Sequence, residues 1–224
     1  MPAVLAVDVG GSHVKFLATG ETERRRFVSG PNLQPGPMVE QILAGAGDWR
    51  FHVVSVGVPA PVRNDRVVVE PVNLGKGWVG FDFSDAFGLP TKVANDAAMQ
   101  ALGSYEGGKM LFLGLGTGLG SAVVADGVVE PMELAHLPFR KATFEDYVGQ
   151  RGFDKLGKKR WRAVVLETIE TLSAALEPDY VVLGGGNAKL VKDLPANVRL
   201  GDNTNAFVGG FRLWSTRNQE FTRP

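Results

Sequence analysis

Unbroken apolar runs closed by glycines, rather than strict alternation, dominate the chain. Residues 3–9 (AVLAVDV) form a β-rich run ending at Gly10-Gly11, and residues 13–18 (HVKFLA) resume an extended pattern, which predicts strand, tight turn, strand. Residues 37–46 (PMVEQILAGA) predict a helix opened by a proline. VVSVGV, 53–58, is the continuous apolar run of a strand covered on both faces. VRNDRVVVE, 62–70, reads as a hairpin around Asn64-Asp65; TKVAND, 91–96, as a short strand; DAAMQALGSYEG, 96–107, as a helix. MLFLGL, 110–115, and SAVVAD, 121–126, predict strands on either side of a glycine-dense turn. FEDYVGQRG is a short helix, and KKRWRAVVLETIETLSAALEP, 158–178, has helical periodicity up to Pro178. DYVVLGGG, 179–186, reads as strand then glycine turn, and NAFVGGFRLW, 205–214, as a helix despite its glycines.

The two halves echo each other. Each opens with strand, glycine turn and return strand (4–18 and 110–126), then continues into helix and a further strand (VVSVGV, then YVVLGG). The expectation is an α/β fold of two similarly folded lobes with a central cleft. The first lobe would be 1–94, with a C-terminal helix at about 205–224 packing back on it, and the second 95–204. The 224 residues suffice for a sizeable core. Basic and acidic residues balance at 24 each, which argues against bulk electrostatic binding to nucleic acid or an acidic membrane. With no cysteine, disulfides, thiolate zinc sites and cysteine nucleophiles are excluded. The start, MPAVLAVDVGG, lacks a basic n-region and meets Asp8 early, so it does not read as a signal peptide. No apolar stretch is long enough to span a membrane, and a cytoplasmic location is expected.

The glycine-dense turn, LFLGLGTGLGSAVV at 111–124, invites comparison with known phosphate loops. A dinucleotide fingerprint needs GxGxxG between strand and helix, and here the spacing is wrong. GSYEGGKM (103–110) and GFDKLGKK (152–159) approach a P-loop but lack its hydroxyl residue. What remains is a strand-turn-strand unit found twice, either an ordinary hairpin or a nest of backbone N–H groups that cradles an anion. The first turn carries Asp8 before Gly10, Gly11 and Ser12, with Lys15 beyond; the second carries Thr117 between Gly116 and Gly118. An aspartate at a strand end beside such a nest suits magnesium, directly or through water.

These residues resemble the ROK group of sugar kinases, within the superfamily of actin, hexokinase and the chaperone ATPases. DVGGSHVK (8–15) and LGTGLGS (115–121) resemble its two phosphate motifs, VANDAAM (93–99) its catalytic segment, and ELAHL (133–137) its sugar-binding ExGH motif. VVLGGGN (181–187) resembles the nucleotide-site glycine turn. VGVPAPV (56–62), PVNLGKGW (71–78) and GDNTNAFVGG (201–210) fill the remaining places in order. Within the group, the short bacterial glucokinases, including polyphosphate-using ones, are most similar.

The resemblance implies two ribonuclease-H-like lobes of the actin-like ATPase fold and a homodimer. It implies phosphoryl transfer from ATP or polyphosphate to the 6-hydroxyl of glucose, with Mg2+ held by Asp8 through water. Asp96 would be the general base, although an N-cap role suits the same position. Asn73, Asn95, Asp96, Glu133, His136 and Glu145 would touch the sugar, each with a structural alternative such as a turn contact or a solvated pair. Gly10, Gly11, Ser12, Lys15, Gly116, Thr117, Gly118, Gly185, Gly186 and Asn187 would hold the phosphoryl donor. The run Lys155, Lys158, Lys159, Arg160 and Arg162 is either a solvated helix face or a track for a long polyanion. Trp78 and Trp161 read as packing residues. Ala135 and Ala60 stand where the family commonly has glycine, and alanine forbids the positive φ that glycine allows. The cysteine-rich zinc motif of many relatives is missing, so no zinc is expected and packing must hold the Glu133–His136 loop. The repressors of the group carry a preceding DNA-binding domain, and a chain that opens on the first strand points away from them. The alternatives are a kinase for fructose or an N-acetylhexosamine, and a non-catalytic sugar or nucleotide sensor on the same fold.

Overall fold

The computed structural model describes residues 2–202 and 204–215. Asn203, in the GDNTNAFVGG segment, and residues 216–224, in the expected C-terminal helix, lie outside the described residues. The chain divides into two compact units, one running to Met99 and resuming at Ala206, the other Gln100–Asn205.

In the first unit the elements are β1 (Val4–Val9), β2 (His13–Ala18), β3 (Arg25–Val28), α1 (Pro35–Gly45), β4 (Val53–Val58), β5 (Val62–Arg63), β6 (Arg66–Val67), α2 (Phe83–Phe87) and β7 (Thr91–Asn95). The next helix, α3 (Asp96–Ser104), carries the boundary between the units. The main sheet has the order β3-β2-β1-β4-β7, with β1 antiparallel to β2 and parallel to β4, and β4 parallel to β7. Every residue of β1 and β4 is buried, as their unbroken apolar runs require of central parallel strands. The β5–β6 hairpin turns through Asn64 and Asp65, both at positive φ (50° and 56°), the backbone that a two-residue hairpin with matching twist demands. Trp78 is buried, and its Nε1 donates to the Leu33 carbonyl oxygen.

The second unit contains β8 (Lys109–Leu115), β9 (Leu119–Ala125), β10 (Val128–Met132), β11 (Pro138–Phe139), β12 (Ala142–Thr143), α4 (Phe144–Val148), α5 (Gln150–Leu176), β13 (Tyr180–Gly184) and β14 (Val198–Leu200). Its sheet, β10-β9-β8-β13-β14, repeats the first one: two antiparallel pairings, then two parallel ones. Trp161 is buried on α5, and its Nε1 donates to the Val148 carbonyl oxygen at 2.9 Å.

The last described element, α6 (Asn205–Arg212), belongs with the first unit. Ser55, buried in the centre of β4, donates from Oγ to the Gly210 carbonyl oxygen and accepts from Trp214 Nε1 at 2.9 Å. Lys92 on β7 donates to the Leu213 carbonyl oxygen at 2.9 Å and lies over the Trp214 ring. Burial pushes the Lys92 ammonium below its ordinary pKa, against a smaller opposing pull from Asp65.

Several elements depart from the sequence expectation. The long helix starts at Gln150 rather than 158 and is broken at Gly157, whose φ of 70° and ψ of 159° are not helical. The helix α3 stops at Ser104, short of 107, and Gly107 and Gly108 follow at positive φ. The edge strand β3 and the five-residue helix α2 were not legible as elements. Asp82 caps α2 by accepting the Asp85 N–H, and Arg66 beside it holds its carboxyl below the ordinary range.

Candidate active site

In the first unit, strand register gathers the chemistry. Asp8 pairs with Lys15 across the antiparallel ladder and with Gly57 across the parallel one; Gly57 in turn pairs with Ala94, and Val58 with Asn95. The carboxyl ends of β1, β4 and β7 therefore end side by side, where open α/β sheets bind ligands. Asp8 is buried, and Lys15 Nζ meets its Oδ2 at 3.2 Å. A Cβ on Gly57 would lie 2.5 Å from Met99 Cε and 3.5 Å from the Asp96 Cα, so this glycine lets the start of α3 pack against β4, with Asp96 in van der Waals reach of the residue paired with Asp8.

Asn95 holds this junction. Its Oδ1 accepts from the backbone N–H of Ala97 (2.9 Å) and Ala98 (3.2 Å), and its Nδ2 donates to the Ala60 carbonyl oxygen (3.3 Å). The N-cap weighed for Asp96 is thus supplied by Asn95, one residue earlier. Asp96 occupies the first helical position, half-buried, with its Oδ1 also reached by the Ala97 N–H at 2.8 Å. A carboxylate there is favoured by the helix dipole.

The turn after β1 is closed by its own neighbours. The Gly10 N–H donates to the His13 carbonyl oxygen, Ser29 Oγ donates to the Gly10 carbonyl oxygen, and the Ser29 N–H donates to that of Ser12. Gly10 therefore spends its N–H within the turn. The exposed Asn73 lies over Gly11, where a Cβ would come within 3.3 Å of the Asn73 Cβ. The segment carrying Asn73 is tied by Glu70, which accepts the N–H groups of Gly77 and Trp78. Burial raises the Glu70 pKa, and the N–H donors together outweigh it, leaving the carboxyl below its ordinary value.

In the second unit three segments meet. The Gly116 N–H closes onto the Gly118 carbonyl oxygen at 3.2 Å, and the Gln150 N–H donates to that of Thr117 at 3.1 Å. Gly118 faces Glu145: a Cβ there would lie 2.4 Å from Glu145 Oε2. Gly185, at φ 81°, has the Leu115 backbone where a side chain would go, and the Asn187 N–H donates to the Leu115 carbonyl oxygen. A Cβ on Gly116 or Gly186 would meet nothing within 4 Å, so open space lies on that side of each residue. Asn187 Nδ2 donates to Gln150 Oε1 at 2.9 Å. Gln150 was missed in the sequence, because nothing local marks a glutamine as the partner of an asparagine 37 positions on.

Glu133 and His136 are exposed on a one-turn 3-10 helix, Leu134–His136, with Nε2 and Oε2 3.5 Å apart. Ser121, at the end of LGTGLGS, fixes the approach to it: Oγ donates to the Met132 carbonyl oxygen and accepts the Leu134 N–H. The hairpin that follows is pinned to α4 by Phe139, which stacks on Phe144 at 4.5 Å and meets Tyr147 edge-on. Thr143 and Asp146 form a capping box on α4, and the Thr143 hydroxyl and N–H hold the Asp146 carboxyl below its ordinary pKa. Neither Ala60 nor Ala135 has positive φ, so alanine at these positions carries no backbone strain. Lys155, Lys158, Lys159 and Arg160 are exposed on α5, whereas Arg162 turns inward and donates from Nε to the Leu190 carbonyl oxygen.

Two sheets of matching topology, each with a glycine turn between its first two antiparallel strands, define a mixed α/β chain of the actin-like ATPase fold. The family model of the ROK family matches residues 4–130, and the chain belongs to that family. That span includes Asp8, Asn95, Asp96 and Thr117; Glu133, His136, Glu145 and the 185–187 turn lie beyond it. The chain is 27% identical over 205 residues to the polyphosphate glucokinase of Mycobacterium tuberculosis, covering 80% of this chain and 76% of that one. Among solved structures it is similar to the inorganic polyphosphate/ATP-glucomannokinase of Arthrobacter sp. strain KM, with a TM-score of 0.80 and 22% identity, covering 94% and 97% of the two chains. It is also similar to a ROK family glucokinase from Streptomyces griseus in complex with glucose and AMPPNP, with a TM-score of 0.72 and 17% identity over 93% and 97%. No helix among the described residues is long and apolar enough to cross a membrane.

Proposed function

We propose that this chain is a glucokinase that transfers a phosphoryl group from ATP or polyphosphate to the 6-hydroxyl of glucose, with Asp96 as general base. The observation that carries the reading is the grouping of Asp8, Gly57 and Asp96 at the carboxyl ends of adjacent parallel strands, with Asp96 held by the Asn95 cap. Relatives named polyphosphate glucokinase and glucomannokinase support the substrate class.

Phosphoryl transfer asks mainly for alignment and charge neutralisation. The sugar hydroxyl attacks the terminal phosphorus of the donor, its proton passes to the Asp96 carboxylate, and the bond from phosphorus to the leaving oxygen breaks. Asn95 fixes Asp96 through its bonds to Ala60, Ala97 and Ala98, and its Nδ2, which has two N–H groups, is also assigned to a sugar hydroxyl. Asn73, Glu133, His136 and Glu145 are assigned to sugar hydroxyls. Gly116, Thr117, Gly118, Gly185 and Gly186 are assigned to donor phosphates, and Gly11, Ser12 and Lys15 to the transferring group. A homodimer is part of the same reading.

Magnesium fits one carboxylate here. Among the described residues no three acidic or histidine side chains gather as a self-sufficient metal site. Mg2+ commonly takes one or two carboxylates and completes its shell with substrate phosphates and water, and the buried Asp8 offers such a ligand. Bound there, the ion supplies neutralisation of charge on the phosphates.

The test is glucose 6-phosphate formation by the purified chain with magnesium and glucose, using ATP and polyphosphate in separate reactions. Turnover with either donor is expected. No phosphorylation of glucose, fructose or an N-acetylhexosamine, with sugar binding retained, would replace the kinase by a sensor.

A further inference from the structure

Gln150 opens α5 and is tied to two other segments and to its own helix. Its backbone N–H donates to the Thr117 carbonyl oxygen at 3.1 Å. Its Oε1 accepts from Asn187 Nδ2 at 2.9 Å, and its Nε2 donates to Asp154 Oδ1 at 2.8 Å, one helical turn on. Asn187 is itself anchored, its N–H donating to the Leu115 carbonyl oxygen at 3.0 Å. The space around these bonds is full. A Cβ on Gly149 would lie 2.8 Å from the Thr117 carbonyl oxygen, and one on Gly185 would lie 2.3 Å from that of Leu115.

We infer that Gln150 is a positioning residue for the phosphoryl donor. It ties the Gly116–Gly118 turn to the Gly185–Asn187 turn, so that the open space beside Gly116 and the open space beside Gly186 keep a fixed spacing. The carboxamide suits this task because one end accepts while the other donates. The Asp154 bond orients it, leaving Oε1 toward Asn187. The inference rests on the kinase reading, which supplies the donor.

The experiment is calorimetric titration of Gln150→Met with ATP, with tripolyphosphate and with glucose, each in the presence of magnesium. Methionine keeps the length and removes both polar atoms. Donor affinity should fall about five- to tenfold, the size expected for one lost hydrogen bond, while glucose affinity stays unchanged. Asn187→Ala removes the same bond from the other side and should give a similar selective loss, which covers the case of a Gln150→Met protein that does not fold. Asn187 Nδ2 also reaches the Gly116 carbonyl oxygen at 3.5 Å, so Asn187→Ala should lose at least as much as Gln150→Met, and the double variant should lose less than the sum of the two because they share the Gln150–Asn187 bond. Donor affinities equal to wild type, or an equal loss for glucose, would overturn the assignment. A wild-type chain that binds glucose but neither donor would instead bring down the kinase reading, and the two failures are told apart by the wild-type titration alone.

Discussion

The glycine turn after β1 and the one after β8 occupy matching places in matching sheets, yet they are held differently. The first is closed from its own unit's edge by Ser29 and flanked by an ion pair between the buried Asp8 and the half-buried Lys15. The second bears no charged residue between Gly114 and Gly120 and is wedged against the start of α5 and the turn after β13. None of Gly10, Gly11, Gly116 or Gly118 has positive φ. Two of them serve close approach rather than unusual backbone angles: Gly11 admits Asn73, and Gly118 admits Glu145. One motif has been fitted for charge in one unit and for bare backbone in the other.

The comparison breaks most sharply at Asp96. Asp96→Asn should lower turnover about 10²- to 10⁴-fold, the range for removing a general base, with sugar binding nearly intact. Near-normal turnover in that variant would remove Asp96 from the mechanism. Next come the glycines of the two turns. Gly118→Ala drives a methyl into the Glu145 carboxylate, whereas Gly11→Ala asks Asn73 to give way by only a few tenths of an ångström. Gly118→Ala should therefore displace the Glu145 carboxylate and raise the glucose KM by about tenfold, and Gly11→Ala by less, both with little loss of stability because the Glu145 carboxylate is the end of a flexible side chain. Equal effects from the two would erase the distinction drawn here.

A smaller effect concerns the donor. Replacing Lys158, Lys159 and Arg160 with glutamine should raise the KM for long-chain polyphosphate a few-fold and leave that for ATP alone, because only a long polyanion reaches an exposed basic face. An equal change with ATP would show that the face is no donor track. The smallest effect is on acid stability. In the first unit the Arg25 guanidinium hydrogen-bonds Asp48 and lowers its carboxyl from 3.8 to about 2. The native state thus favours the ionised form, and this stabilisation, complete above pH 4, fades as pH falls toward 2. Asp48→Asn should flatten that part of a thermal-denaturation profile, and an unchanged profile would show the exposed pair contributes nothing.

Much of the architecture was legible because it rests on local rules. Asn64-Asp65 between β-rich runs marked its hairpin, and VVSVGV marked a strand covered on both faces. The candidate site was legible where motif and register coincide, at Asp8, Asn95, Asp96 and the glycines. It was illegible where a bond joins segments far apart. Ser29 at the first turn, Gln150 beside Asn187 and Ser55 under α6 look like ordinary polar residues until the chain is folded. The early start of α5 was hidden by Gly152 and Gly157: the low helix propensity of the buried Gly152 is overridden by tertiary packing, whereas Gly157 does break the helix.

By itself the sequence determined the order of the central strands and their glycine turns, the exclusion of cysteine chemistry and the identity of the titratable groups, all of which follow from periodicity and side-chain type. Only tertiary structure decided which of those groups are already occupied. Only the fold shows that Asn95 caps α3 and bonds Ala60, and Gly118 reads as a flexible turn residue until Glu145 is seen against it. The reason is that a hydrogen bond or a close approach is a property of two segments at once, and residues tens of positions apart acquire it only when the sheets set their distance.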